Sequence, residues 1–259
     1  MGDLLADILE RTEADLARAK QDVPLETLRQ RLGPLNRGRP FSEALVAEGI
    51  SLIAEMKRAS PSRGPIRPGA SVTEIVRAYE AAGAAACSIL TEGPHFQGSL
   101  DDLVEARSAC SLPLLRKDFI IDPYQLVEAR VAGADAVLLI VAALGPDRLD
   151  QLLRAAADLG LDCLVEVHDE EEVAIAIEAG AELVGVNNRD LHTFEVDLGT
   201  TFRLLPDIPA GTVVVAESGI SSRRDVIELE NAGVDAILVG EALMRAEDPG
   251  EAIRALLGR

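Results

Sequence analysis

Ala129–Val137 reads ARVAGADAV: helix-forming residues, then a glycine, then the first residues of an apolar run. The same phrase returns as YEAAGAAAC at Tyr79–Cys87, AIEAGAELV at Ala176–Val184 and LENAGVDAI at Leu229–Ile237. Each copy places a glycine where a helix must stop, which is the preferred C-terminal cap, and then begins a strand. Gly83, Gly133, Gly180 and Gly233 mark these joints, and Gly160 in DLGLD marks another. Their separations are near multiples of about 25 residues, the length of one strand–helix unit in a barrel of this size.

Working outward from these joints, eight short apolar runs follow one another from about residue 50 onward. They are Ser51–Lys57, Ala86–Glu92, Pro113–Phe119, Asp135–Val141, Leu161–Val167, Glu182–Asn188, Thr212–Ser218 and Asp235–Glu241. Between them stand segments with apolar residues at helical spacing, such as Val72–Gly83, Asp122–Gly133, Asp147–Gly160, Glu170–Gly180 and Ser222–Gly233. Strands that are apolar on both faces and joined by helices imply a parallel sheet. Eight such units favour closure into a (β/α)8 TIM barrel over an open, doubly wound sheet. No GxGxxG follows the first run, which further weakens a dinucleotide-binding alternative. The expected domain division is a helical extension over residues 1–48, read from DLLADILERTEADLARAK and PLETLRQRL with LGPLNRGRP as linker, and a barrel over 49–259. The extension is too short to be a stable domain alone, so it is expected to cap one barrel mouth rather than act as a free arm.

Composition bounds the function. The 259 residues are 48% hydrophobic but only 3% aromatic, so the core must be built of Ala, Val, Leu and Ile. A net charge of −19 opposes binding to nucleic acid or to an acidic membrane through a broad basic face. It leaves room for a small anion in a locally positive pocket. Cys87, Cys110 and Cys163 form no CxxC or Cys/His pattern and read as buried thiols, with no metal site. The N-terminus has no signal-sequence pattern and no apolar run reaches the ~20 residues of a membrane span, so a cytoplasmic protein is expected.

In a (β/α)8 enzyme the site lies at the C-terminal ends of the strands, and strand alternation decides which side chains share a face. The first strand offers Glu55 and Lys57 on the face of Ile53. The third offers Lys117 on the face of Leu115, with Arg116 pointing the other way. The fifth offers Glu166 and the sixth Asn187, with Arg189 just beyond. The seventh ends in Glu217, Ser218 and Gly219, and the eighth in Gly240 and Glu241. Lysine occurs only at positions 20, 57 and 117 in a chain that otherwise uses arginine. Two of the three therefore stand where a tunable proton donor is useful and a guanidinium, always charged, is not. With a glutamate beside it, such a lysine makes an acid/base site. The glycines after the seventh and eighth strands stand where this fold commonly holds phosphate. ASPSRG after the first strand reads as a mobile loop over the site with Ser60 near an anion. Phe96 and Phe119 read as apolar walls, and His95, His168 and His192 as bystanders.

IAEMKRASPSRG, ILTEGPHFQGS, LPLLRKDFIIDPYQ, LVEVHDEEE, VGVNNRDLHTFEVD, VVAESGI and ILVGEALM, in this order from about residue 50 to 245, closely resemble the indole-3-glycerol-phosphate synthase family. The resemblance implies a carboxy-lyase of tryptophan biosynthesis that needs no metal or organic cofactor. Its substrate would be 1-(2-carboxyphenylamino)-1-deoxyribulose 5-phosphate, cyclised with loss of carbon dioxide and water. By the same resemblance Lys117 is the general acid, Glu166 the acid/base partner for dehydration, and Lys57 the carboxylate-binding group, assisted by Glu55, with the donor of the second proton left open between Lys57 and Glu166. Asn187 and Glu217 would hold the substrate, with Ser218 near its phosphate end. Ser60, Arg189, Gly219, Gly240 and the backbone of Glu241 would cradle the phosphate. The family has serine at position 241 in some members, so a carboxylate there is expected to point away. A phosphoribosylanthranilate isomerase would need a cysteine at the end of the first strand, where this chain has Glu55 and Lys57, and a non-catalytic phosphate-binding barrel would not need converging lysines. No nucleic-acid or membrane partner is expected, and the chain is read as a monomer or weak homodimer.

Overall fold

A computed structural model describes residues 4–33, 38–190 and 193–259. Most of the expected linker's middle and His192 lie outside the described residues. Eight strands close into a parallel barrel: β1 (Ser51–Met56), β2 (Ala86–Leu90), β3 (Leu114–Lys117), β4 (Ala136–Ile140), β5 (Asp162–Val167), β6 (Leu183–Asn187), β7 (Val213–Glu217) and β8 (Ala236–Val239). Closure is made by β1, which pairs with β2 through Ile53↔Ala86 and with β8 through Ser51↔Ala236. The TIM-barrel expectation is thus met, strand by strand.

The helices are α1 (Leu4–Asp22), α2 (Leu25–Arg29), α3 (Phe41–Leu45), α4 (Val72–Ala81), α5 (Leu100–Ala109), α6 (Pro123–Ala132), α7 (Val141–Asp158), α8 (Glu170–Glu178), α9 (Gly199–Leu204), α10 (Arg223–Ala232), α11 (Glu241–Arg245) and α12 (Pro249–Leu257). The joint glycines end helices as read: Gly133 and Gly233 are left-handed caps of α6 and α10, at φ 96° and 95°. The opposite ends are capped by side chains. Asp122 and Ser222 form capping boxes, and Asp169 accepts from the Glu172 N–H. α7 differs from a plain helix because Gly145, at φ 65° and followed by Pro146, breaks it one turn after β4. Among the described residues no helix is long and apolar enough to cross a membrane.

Alternation splits the core in two. Inward-facing Ile53, Leu115, Leu138, Leu164, Val215 and Leu238 fill the barrel interior, whereas Leu52, Leu114, Leu139 and Val165 pack outward against the helices. The interior is closed at the N-terminal ends of the strands by α3, whose Phe41 and Leu45 are fully buried in it. Ser42 fastens this plug. Its backbone N–H and hydroxyl both donate to Asp162 at the start of β5, at 2.8 and 3.0 Å, so a distant carboxylate satisfies a free donor of the helix start. α1 and α2 lie along α6, where the Tyr124 hydroxyl donates to the carbonyls of Ala19 and Val23. The other end of α1 reaches the C-terminal mouth, with Leu5 and Ile8 buried. The residues before β1 thus touch both ends of the barrel and one flank.

Candidate active site

A cavity of about 580 Å³ opens at the C-terminal ends of the strands. Its floor is the apolar interior, through Leu138, Ile140 and Leu238, and its rim includes Leu5 and Ile8 of α1. All fourteen site residues expected from the sequence line it. Glu55, Lys57, Lys117, Glu166, Asn187 and Glu217 stand at or just past the ends of five strands. Ser60, Phe96, Phe119, Arg189, Ser218, Gly219, Gly240 and Glu241 come from the loops and helix start that follow them.

Lys117 is the centre of charge. Its Nζ lies 3.0 Å from Glu166 Oε2 and 3.1 Å from Glu217 Oε2, with only 13% of the side chain exposed. Burial opposes its charge, but Glu166, Glu217 and Glu55 together outweigh burial and hold the ammonium well above the ordinary lysine range. Burial alone would bring a lysine toward neutral pH; here three carboxylates converge on it and the direction is the opposite. Glu166 is also fully buried, yet Lys117 and then His168 keep it ionised, below the ordinary carboxylate range. Glu217 goes the other way: burial, reinforced by Glu166, pushes it up to about 7 against the pull of Lys117. Two glutamates on one lysine are therefore driven apart, Glu166 held as an anion able to accept a proton and Glu217 pushed toward its neutral form. Lys57 and Glu55 form a second pair at 2.6 Å.

The barrel makes room for these chains with glycine. A Cβ on Gly240 would stand 2.3 Å from Glu55 Oε1, and one on Gly185 would stand 2.2 Å from Glu217 Oε1. Arg116, on the opposite face of β3 from Lys117, is 4% exposed and ion-paired with Asp118 at 2.9 Å and Glu128 at 2.8 Å. The loops over the mouth are tied together. Ser60 belongs to a two-residue ladder, Ala59–Ser60 against Gly64–Pro65, and the Ala59 N–H donates to the Phe96 carbonyl. Arg58 adds a bond to the Gln97 carbonyl and a two-pronged pair with Asp102. Just past β7, Ser218 is held at φ 65°, and buried Asn188 donates to the carbonyls of Glu217 and Ser218. The Glu241 carboxylate is bound by Arg63 at 3.2 Å and Arg245 at 3.0 Å.

Four residues escaped the sequence reading. Arg63, from the loop after β1, meets Arg245 through Glu241, which stands four residues before Arg245 on α11. Asn188, next to the Asn187 singled out from the sequence, braces the strand-seven turn. His168 is no bystander: Nδ1 is 2.9 Å from Glu172 and Nε2 is 3.4 Å from Glu166 Oε1. Its signal was the run EVHDEEE, in which a helix-start glutamate can reach back four residues.

A sequence profile of the indole-3-glycerol phosphate synthase family matches residues 5–256. The chain belongs to that family. An indole-3-glycerol phosphate synthase 2 of Streptomyces coelicolor is 47% identical over 258 residues, covering 100% of both chains. An indole-3-glycerol phosphate synthase of Dehalococcoides mccartyi is 49% identical over 259 residues, covering 98% of this chain and 100% of its own. The resemblance read from the motifs is thereby shown along the whole chain. With family membership comes the enzyme class: indole-3-glycerol phosphate synthases are decarboxylating, ring-closing lyases of tryptophan biosynthesis acting on a phosphorylated small molecule. Among solved structures, a mutant tryptophan synthase alpha-subunit from Pyrococcus furiosus superposes with a TM-score of 0.62 at 17% identity, over 81% of this chain and 98% of that one. A thiamine phosphate pyrophosphorylase from the same organism gives 0.61 at 22%, over 80% and 93%. These last two speak to the fold alone.

Proposed function

We propose that this synthase closes the indole ring with Lys117 as general acid and Glu166 and Glu217 as its partners. The observation that carries the reading is the buried Lys117 ammonium held between two carboxylates above an apolar floor. The aromatic carbon bearing the substrate's carboxylate attacks the ribulose ketone carbon. Lys117 gives its proton to the ketone oxygen as a carbon–carbon bond forms, and loss of carbon dioxide restores the aromatic ring. The new hydroxyl then leaves as water while the neighbouring methylene loses a proton, with Glu166 in the acid/base role. An ammonium with a raised pKa is fully loaded at neutral pH, and a developing alkoxide is basic enough to take the proton from it.

Lys57 binds the substrate's carboxylate until it departs, and Glu55, 2.6 Å away, orients it. Asn187 and Glu217 position the sugar chain, and Phe96 and Phe119 wall the aromatic ring. The phosphate sits among Ser60, Arg189, Gly219, Gly240 and the Glu241 N–H, with Ser218 beside it. The Glu241 carboxylate is supported elsewhere, by Arg63 and Arg245. Residues 1–48 serve as the cap of a barrel formed by 49–259, and the enzyme works in the cytoplasm as a monomer or weak homodimer. Light scattering across a concentration series checks the last point.

The deciding experiment is the fluorescence of indole formation by Lys117→Arg. That variant keeps the charge, and turnover is expected to fall by about two orders of magnitude or more, the usual worth of a positioned proton donor. Near-normal turnover would sink the acid role.

A further inference from the structure

The reaction uses one oxygen of Glu166, bonded to Lys117; the other faces His168. That ring is built into place. Nδ1 and the backbone N–H of His168 both engage Glu172 Oε2, at 2.9 and 2.8 Å, so the start of α8 fixes the imidazole at the end of β5. Nε2 is fully buried, has no hydrogen-bond partner, and points at Glu166 Oε1 from 3.4 Å. A buried donor without a bond is uncommon and marks either strain or a contact completed in another state. Glu166 faces a matching problem. Once Lys117 turns to the substrate oxygen and loses its proton, the carboxylate loses its nearest cation inside a dry pocket.

We propose that His168 is a positioning residue of the ring closure, closing its 3.4 Å gap to Glu166 as Lys117 turns away and holding that carboxylate in place and ionised. The inference rests on Glu166 having the acid/base role given above. The charged groups facing the ring are Glu166 from β5 and Glu172 from α8, and against the opposing effect of burial they raise the imidazole to about 10. At neutral pH it is therefore a cation, able to replace part of what Lys117 supplied. Glu172, with 15% of its side chain exposed, is the outer end of the row Lys117–Glu166–His168–Glu172.

Three variants test this. Glu166→Gln comes first: full activity there removes the role on which the inference depends, and it says nothing about the histidine contact itself. His168→Asn keeps an amide near Nδ1 for Glu172 and deletes Nε2. With the inference correct, kcat falls about tenfold or more while KM stays within about twofold, because the lost contact matters after binding. The acid limb of the kcat–pH profile also moves upward by about one unit or more, since Glu166 has lost an adjacent positive charge. His168→Gln, whose amide nitrogen reaches the Nε2 position, recovers much of kcat but leaves the acid limb displaced. Wild-type kcat and an unmoved acid limb in folded His168→Asn, with Glu166→Gln inactive, overturn the inference. Should His168→Asn fail to fold by circular dichroism, Glu172→Gln unpins the ring instead, and the same two readouts decide.

Discussion

Arg116 and Lys117 are adjacent and chemically opposite in use. Alternation sends the lysine into the mouth and the arginine into a buried ion-pair cluster with Asp118 and Glu128. Removing the arginine leaves two carboxylates without their cation. Arg116→Leu is therefore expected to lower stability by about 3–5 kcal/mol, measured by denaturant unfolding, while Lys117→Arg leaves stability nearly intact. His168 makes the pH dependence of stability testable. Its folded pKa of about 10 lies above the ordinary imidazole value of about 6.5. A raised folded value means its contribution is fully present below about pH 6.5 and is lost as pH rises toward 10. The destabilisation caused by His168→Asn should then be largest near pH 6 and shrink toward pH 10, read from urea midpoints across that range. At this scale the polar strand ends were legible in the sequence, because each follows an apolar run whose alternation assigns its face. The histidine was not, because its importance lies in one carboxylate two residues back and another four residues ahead, a geometry that only the β5–α8 turn creates.

The elements repeat that division between local and distant causes. Strand positions, helix positions and the glycine joints follow from periodicity and capping, which are properties of a few consecutive residues. The break at Gly145 is local too, made by that glycine and the proline after it, but the tethered hairpin after β1 depends on what the chain meets elsewhere. So does α3. FSEAL is too short and too mixed to declare itself, yet Phe41 is fully buried among Ile53, Leu115 and Leu164 inside the barrel. Phe41→Ala should cost about 3–5 kcal/mol of unfolding free energy, comparable to a substitution in the middle of a strand. Turnover at temperatures well below the melting point should stay within about twofold, because the plug lies at the end of the barrel away from the cavity. A large fall in kcat for a fully folded Phe41→Ala would contradict that separation.

For the molecule as a whole, the barrel holds a compact set of cations and anions in a chain whose net charge is −19. The surface acids leave the mouth its own local chemistry, as composition alone could not have shown. Lysine usage carries a practical corollary. Lys57 and Lys117 are 17% and 13% exposed and occupied by glutamates, whereas Lys20, on α1, is 42% exposed with Asp122 at 2.9 Å. Amine-directed attachment chemistry therefore finds a single accessible side chain, on the flank where α1 runs along α6. Molecules tethered to a surface through Lys20 would share one orientation, with Lys57 and Lys117 untouched and the mouth left free to the solution.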